Sequence, residues 1–292
     1  MNSTIIVLIA YLVLTFGIAW FFSRKESLEG YFLNKKKTGL WFLTISNIAT
    51  LIGAGATVAI VAEVYNSGIS FGIALLTSFV FGVILFWFLA GKIKEANAKY
   101  GIYTMVDYFG ARYDKKNYIL VGISQILFLI FLIGIQAVAM ASLASVLLGI
   151  NYNIALAVVS AVAILYTVIG GLKIDIITDF IQFWIIFIVF IVASIFGYFS
   201  VGGFSNLLTQ LPVGHLNPFA FGGISWTIGA IVLGGFLFLP GSHDWQRIIS
   251  ARDKITARKS FIYSIPFLII FMPLVIFLGL VASVILVDIP KD

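Results

Sequence analysis

Apolar runs of bilayer-spanning length recur along the whole chain. A helix needs roughly 20 residues to cross about 30 Å of hydrocarbon, and stretches of that size, nearly free of charge, follow one another through these 292 residues. Hydrophobic residues make up 61% and charged residues 10%, where an ordinary soluble domain carries roughly 25% charged. Too little polar surface exists to enclose such a chain in water. The pattern predicts an all-α integral membrane protein of eight spans: Ser3 to Phe22, Gly39 to Tyr65, Ile69 to Gly91, Tyr118 to Leu148, Ile154 to Ile169, Ile176 to Phe199, Ile224 to Leu239 and Phe261 to Val287.

The charges set the orientation, because basic residues near span ends stay in the cytoplasm. Arg24, Lys25 and Lys35 to Lys37 fall in the first connection, Lys92, Lys94, Lys99, Arg112, Lys115 and Lys116 in the third, Lys173 in the fifth, and Arg247, Arg252, Lys254, Arg258 and Lys259 in the seventh. Those are 17 of the 18 basic residues, and only Lys291 falls on the opposite side. The expectation is a multi-pass protein of the plasma membrane with both ends of the chain outside. Splitting Tyr118 to Leu148 into two spans would invert every later loop and mix the charges, so it reads as one tilted span. The first run lacks a basic segment before it and is followed by Arg24 and Lys25, so it reads as a retained span rather than a signal peptide.

Several function classes fall away. There is no cysteine, which removes disulfides, thiolate metal sites and cysteine nucleophiles. A nucleic-acid partner would need the net charge of +6 gathered on one soluble face, whereas these basic residues lie in short loops. His215 sits in an outer loop and His243 in an inner one, far from a clustered acid–base set, so no enzyme is expected. The stretch from Lys94 to Asn117 is amphiphilic and suits an interfacial helix, and the loop from Ser200 to Gly223, rich in Gly and Asn, is expected to be irregular.

Inside the second span lies Ala49-Thr-Leu-Ile-Gly-Ala-Gly-Ala-Thr57. Gly53 and Gly55 each weaken a helix by about 1 kcal/mol relative to alanine, and Thr50 and Thr57 offer hydroxyls to freed backbone groups. Two readings stay open. Ala49, Gly53 and Thr57 are spaced by four, a small-residue face on which another helix packs closely. Alternatively the helix opens, and its carbonyls form a shell for a monovalent cation at mid-membrane. A second soft stretch, Gly234-Gly235 followed by Phe-Leu-Phe-Leu-Pro240, ends the regular helix of the seventh span. Two softened spans in different halves of a chain are the pointer to transporters built from inverted repeats. Ionisable residues near the membrane interior default to functional hypotheses. Asp179 is the ambiguous one, while Asp175 beside Lys173 reads as a solvated loop residue and Glu63 as wetted from outside.

Four segments together resemble the sodium:solute symporter family: GYFLNKKKTGLWFLTISNIATLIGAGAT, GIYTMVDYFGARY, GGLKIDIITDFIQ and DWQRIISARDKITARKS. The resemblance implies two inverted five-helix repeats preceded by one extra helix, with sodium and solute bound where the first helix of each repeat is broken. Carried onto this chain, 1–38 would be the extra helix and inner loop, 39–199 the first repeat and 224–292 an incomplete second repeat. The carbonyls of Ala49 and Ile52 would hold sodium, with Thr50 beside them and Asp179 assisting. The solute would touch Gly53, Ala54, Gly55, Ala56 and Thr57, and facing them Gly235 and Phe238.

Three departures qualify that mapping. Leu51 stands where some relatives carry Asp or Asn between the two carbonyls. Gly235 replaces the polar residue of sugar carriers, which disfavours a sugar. Family members carry further spans, so the expected site needs a missing C-terminal half or a partner subunit to enclose it. The function expected is symport of a small organic solute with Na⁺ as coupling ion and no cofactor. A solute sensor or partner subunit of the same architecture is the alternative.

Overall fold

The computed structural model describes residues 3–22 and 28–286, with positions 3, 4, 19, 22, 28, 29, 35, 54 and 55 described in backbone only. Arg24, Lys25 and Lys291 lie outside the described residues. Among the described residues twelve α-helices follow in order: α1 (Ser3–Phe22), α2 (Leu28–Leu33), α3 (Leu40–Leu51), α4 (Ala54–Ser67), α5 (Ile69–Tyr100), α6 (Met105–Arg112), α7 (Lys115–Leu148), α8 (Tyr152–Ser200), α9 (Phe204–Gln210), α10 (Gly223–Leu237), α11 (Ser242–Ser250) and α12 (Lys254–Ile285). By length and composition four of them, α5, α7, α8 and α12, can cross a membrane alone, and up to six spans result if the bent pairs α3/α4 and α10/α11 each count as one. A helical backbone satisfies its own hydrogen bonds, which a segment in hydrocarbon requires; this is a multi-pass membrane protein.

α8 is two helices joined at a break. Its 49 residues would reach about 73 Å if straight, more than twice a bilayer core. Gly171 adopts φ 62, ψ −179, a region open essentially to glycine alone. Tyr166 and Thr178 share a hydroxyl–hydroxyl bond across it, although a straight helix would set them about 18 Å apart. The chain therefore doubles back at Gly171, where the sequence divides the fifth span from the sixth. Tyr31 fills the corner, its hydroxyl donating to the carbonyls of Thr167 (3.2 Å) and Val168 (3.1 Å).

The core lies where α3, α4, α5, α11 and α12 converge. Leu43, Ile45 and Ile48 of α3 pack with Phe86 of α5 and with Phe261, Leu268 and Phe271 of α12, and the rings of Phe86 and Phe261 stack at 5.1 Å. α7 stands apart: it runs unbroken over 34 residues, with only 6% of its apolar window buried, so nearly its whole face is left to lipid or to other helices.

Three loop expectations change. The amphiphilic stretch from Lys94 to Asn117 is divided: α5 continues to Tyr100, α6 starts at a capping box between Thr104 and Asp107, and α7 begins at Lys115. Two N-cap side chains that each satisfy an orphan amide make these separate starts. The loop from Ser200 to Gly223 contains α9 and folds back on the α4–α5 corner, where Ile69 N–H donates to the His215 carbonyl (2.8 Å) and Phe221 N–H to Ser70 Oγ (3.2 Å). Past Pro240 the chain does not become open loop; it bends by 55° and resumes as α11, which carries His243 and Arg247.

Candidate functional site

The second span breaks where its glycines begin. α3 ends at Leu51, and the Ile52 N–H turns back to the carbonyls of Ile48 (3.1 Å) and Ala49 (3.2 Å). Gly53 is extended (φ −64, ψ 165), and its carbonyl starts α4 by accepting from the N–H groups of Ala56 and Thr57, both at 3.0 Å, and from Thr57 Oγ1 at 3.2 Å. The axes on either side meet at 48°. Thr50 Oγ1 donates to the Ser46 carbonyl (2.9 Å). Ala49, Thr50 and Ile52 thus share the last turn before the break, and Gly53, Ala56 and Thr57 the turn after it.

A residue not singled out in the sequence meets the break. A Cβ placed on Gly53 would lie 2.9 Å from both amide heteroatoms of Gln136. Gln136, half-buried on α7, brings a donor and an acceptor to the open turn. Glutamine in a long apolar helix was the available signal, and it was masked by the hydropathy of its neighbours.

Nearly two turns below the break, at Ser46, sits a buried ionic network. Ser46 Oγ donates to Asp179 Oδ2 at 2.5 Å. Arg247, reaching in from α11, donates through Nε to Ser46 Oγ (2.8 Å) and through Nη2 to Asp175 (2.7 Å) and Asp179 (3.1 Å). The Arg247 side chain is 5% exposed and that of Asp179 14%, while Asp175 is 43% exposed. Asp175 and Asp179, four residues apart, present both carboxylates on one face of α8. Asp175 is therefore an ion-pair partner rather than a solvated loop residue. Asp179 lies against α3 through Ser46 and is shared with the Arg247 guanidinium. The bend at Pro240 turns α11 inward, and that delivers the arginine.

Gly235 and Phe238 take different surroundings from the first break. A Cβ on Gly235 would lie 2.2 Å from the Phe81 ring, and one on Gly234 2.1 Å from Ser78 Oγ. Phe238 fills the space above Gly82 and meets Phe79 edge-on at 5.5 Å. These residues seat α10 on α5. Among the described residues no group of three or more His, Asp or Glu could hold a multivalent metal. The oxygen groups at hand are carbonyls, hydroxyls and the carboxylates of Asp175 and Asp179, all hard ligands.

Comparison with known proteins agrees with this architecture. The model of the sodium:solute symporter family matches residues 31–292. The chain is 27% identical over 279 residues to the sodium/pantothenate symporter of Escherichia coli, covering 89% of itself and 56% of that protein. It is 26% identical over 212 residues to the sheep sodium/glucose cotransporter 1, covering 72% and 31%. A solved structure of a Na⁺-coupled sialic acid symporter, substrate-bound and outward-open, superposes with a TM-score of 0.83 at 21% identity, over 96% of this chain and 60% of that one. The chain thus spans between 31% and 60% of the length of these relatives. The family model covers most of the chain, both helix breaks and the Ser46–Asp179–Arg247 network included, and the chain belongs to the sodium:solute symporter family.

Proposed function

We propose that this chain carries the ion and solute seat of a sodium-coupled symporter for a small organic solute. The observation that carries the reading is the break at Ile52–Gly53, met by the Gln136 amide on one side, with Asp179, bonded to Ser46, nearly two turns below. Members of the family are transporters, not enzymes. In this reading the carbonyls of Ala49 and Ile52 and the Thr50 hydroxyl face the cation, and Asp179 supplies the formal negative charge that a neutral shell lacks. Solute binds beside them along Gly53 to Thr57, with Gln136 as its polar contact, and Gly235 and Phe238 form the opposite wall through their seat on α5.

We read eight spans: α1, α3/α4, α5, α7, the two arms of α8, α10/α11 and α12. The doubling back at Gly171 supports that number, and the two bent pairs support an inverted-repeat pairing of α3/α4 with α10/α11, with α1 as the extra helix. The basic connections lie inside and both ends of the chain outside. The remaining spans of the second repeat, from a missing C-terminal half or a partner subunit, complete the enclosure.

The energetics suffice without covalent chemistry. One sodium ion crossing 100 mV releases about 2.3 kcal/mol, and a tenfold gradient adds about 1.4 kcal/mol, enough together to concentrate a neutral solute several-hundred-fold. The test is solute uptake into vesicles with and without an imposed sodium gradient, comparing the native protein with Asp179→Asn and Gly55→Leu. Gradient-dependent uptake lost in both variants is expected. Unchanged uptake in both removes the site assignment, and solute binding without sodium-dependent flux favours a sensor.

A further inference from the structure

α11 ends without the glycine that commonly closes a helix: its C-cap is Ala251 at φ −57, ψ 141. The last carbonyls of a helix have no partner within it, and here each one is met. The Arg247 carbonyl accepts from Ser250 Oγ (2.8 Å) and the Ile248 carbonyl from the Ala251 N–H (3.3 Å). The Ser250 carbonyl accepts from the Thr38 N–H (3.0 Å), which belongs to the turn leading into α3. The Ile249 carbonyl accepts from Lys94 Nζ (2.5 Å), and the same ammonium bonds the Ala251 carbonyl.

Lys94 differs from the other basic residues near it on α5. Lys92 and Lys99 are exposed, as a solvated charged face would have them, whereas Lys94 is half-buried with its ammonium turned inward onto α11. A cation there meets the partial negative charge that gathers at a helix C-terminus. Thr38 completes the grip. Its carbonyl accepts from the Arg252 N–H (3.1 Å), and its hydroxyl donates to Ser250 Oγ (2.9 Å) while accepting from Asn34 Nδ2 (3.0 Å). The end of α11 is thereby fixed to α5 and to the entrance of α3, three residues beyond the arginine that ties α11 to Asp175 and Asp179.

We propose that Lys94 is a positioning residue: it clamps the C-terminal end of α11, with Thr38 as its second jaw, and so holds Arg247 against the acidic pair and closes the basic end of the molecule. Release of the clamp lets α11 swing away and uncovers Ser46 and Asp179. The proposal rests on the transport reading for its purpose, a gate between the ion seat and the cytoplasm.

The absence of native cysteine makes the test direct. Ser242→Cys places a thiol on α11 at a site 9% exposed, and Ser194→Cys places one toward the far end of α8 at a site 8% exposed; neither native hydroxyl has a partner among the described residues. Each reporter is combined with Lys94→Met or Lys94→Arg, and the rate of maleimide labelling is measured. Lys94→Met should speed labelling at position 242 about tenfold, in keeping with the strength of hydrogen bonds from a charged donor. Lys94→Arg should stay near the native rate, and position 194 should not respond. An unchanged rate at 242 with Lys94→Met, or equal acceleration at both reporters through general loosening, overturns the proposal. Labelling is read on the protein at rest, so the transport reading can fail while the clamp stands.

Discussion

The two broken helices solve the same backbone problem in different ways. At α10/α11 the break fills itself: the N–H groups of Phe238, Leu239 and Gly241 bond to Gly235, Phe236 and Phe238, and Trp245 Nε1 reaches back to the Leu239 carbonyl (3.1 Å). Its glycines are spent on contact, with Phe81 and Ser78 pressed against Gly235 and Gly234. At α3/α4 the gap is two residues wide and is approached by the amide of another helix rather than by a ring. Small residues therefore mean packing in one place and access in the other. An apolar wall closes a gap permanently, while a polar side chain with flexible torsions leaves room for exchange with a ligand.

The largest way to break this comparison is to remove the cation that links the two breaks. Arg247→Gln leaves Asp179 buried without its partner, and stripping one member of a buried pair costs about 3–5 kcal/mol. A fall in melting temperature should follow, partly restored by adding Asp179→Asn. Failure of the second change to restore anything would show that Arg247 acts through packing alone.

Next in size is a matched pair of substitutions. Gly235→Leu drives a side chain into the Phe81 ring and should cost about 1–3 kcal/mol or more, the usual range for overpacking. Gly53→Leu meets only the end of Gln136, which can turn aside, so its effect on melting should be the smaller while its effect on solute binding is the larger. Equal losses of stability at the two sites would erase the distinction drawn between them.

These contrasts show how far the residue pattern reaches. The soft point at Gly53 was legible because glycine and threonine gather there within an apolar span, and the division near Gly171 because one apolar run ends at Ile169 and the next begins at Ile176. Whether each soft stretch packs or opens was not legible, since that depends on what faces it. The face is Gln136 in one case and Phe81 in the other, both distant in sequence. Arg247 was hidden for a related reason. Charge counting assigns a basic residue to a side of the membrane but not to the interior or exterior of a bundle. The clue was the acidic pair Asp175 and Asp179, one turn apart with no cation in reach on their own helix but Lys173. The doubled start at α6 and α7 was likewise local chemistry, in the capping residues Thr104 and Asp114, that the amphiphilic reading passed over.

The smallest effect sharpens the comparison at the joint after α11. Asp253 caps α12 by accepting from the Thr256 N–H (2.7 Å), and that backbone bond, helped by the Thr256 hydroxyl and by Arg252, holds its carboxyl below the ordinary range. A carboxyl depressed in the folded state stabilises the protein fully above its unfolded pKa and loses that contribution as the pH falls through the folded value. The native protein should therefore lose stability through this cap only below about pH 4. Asp253→Ala should cost about 1 kcal/mol at neutral pH, the usual value of an N-cap, and should flatten that acid limb. An acid limb unchanged by the substitution would assign it to other carboxylates.

The central claim is that the first break seats the ion and the second does not. It is tested most directly by melting the purified protein in sodium chloride and in potassium chloride at equal ionic strength, for the native chain, Asp179→Asn and Trp245→Phe. A ligand that binds only the folded state raises the melting temperature. The account predicts a sodium-specific rise that disappears in Asp179→Asn and persists in Trp245→Phe. A rise that survives in Asp179→Asn, or one that vanishes when only the second break is altered, would contradict it.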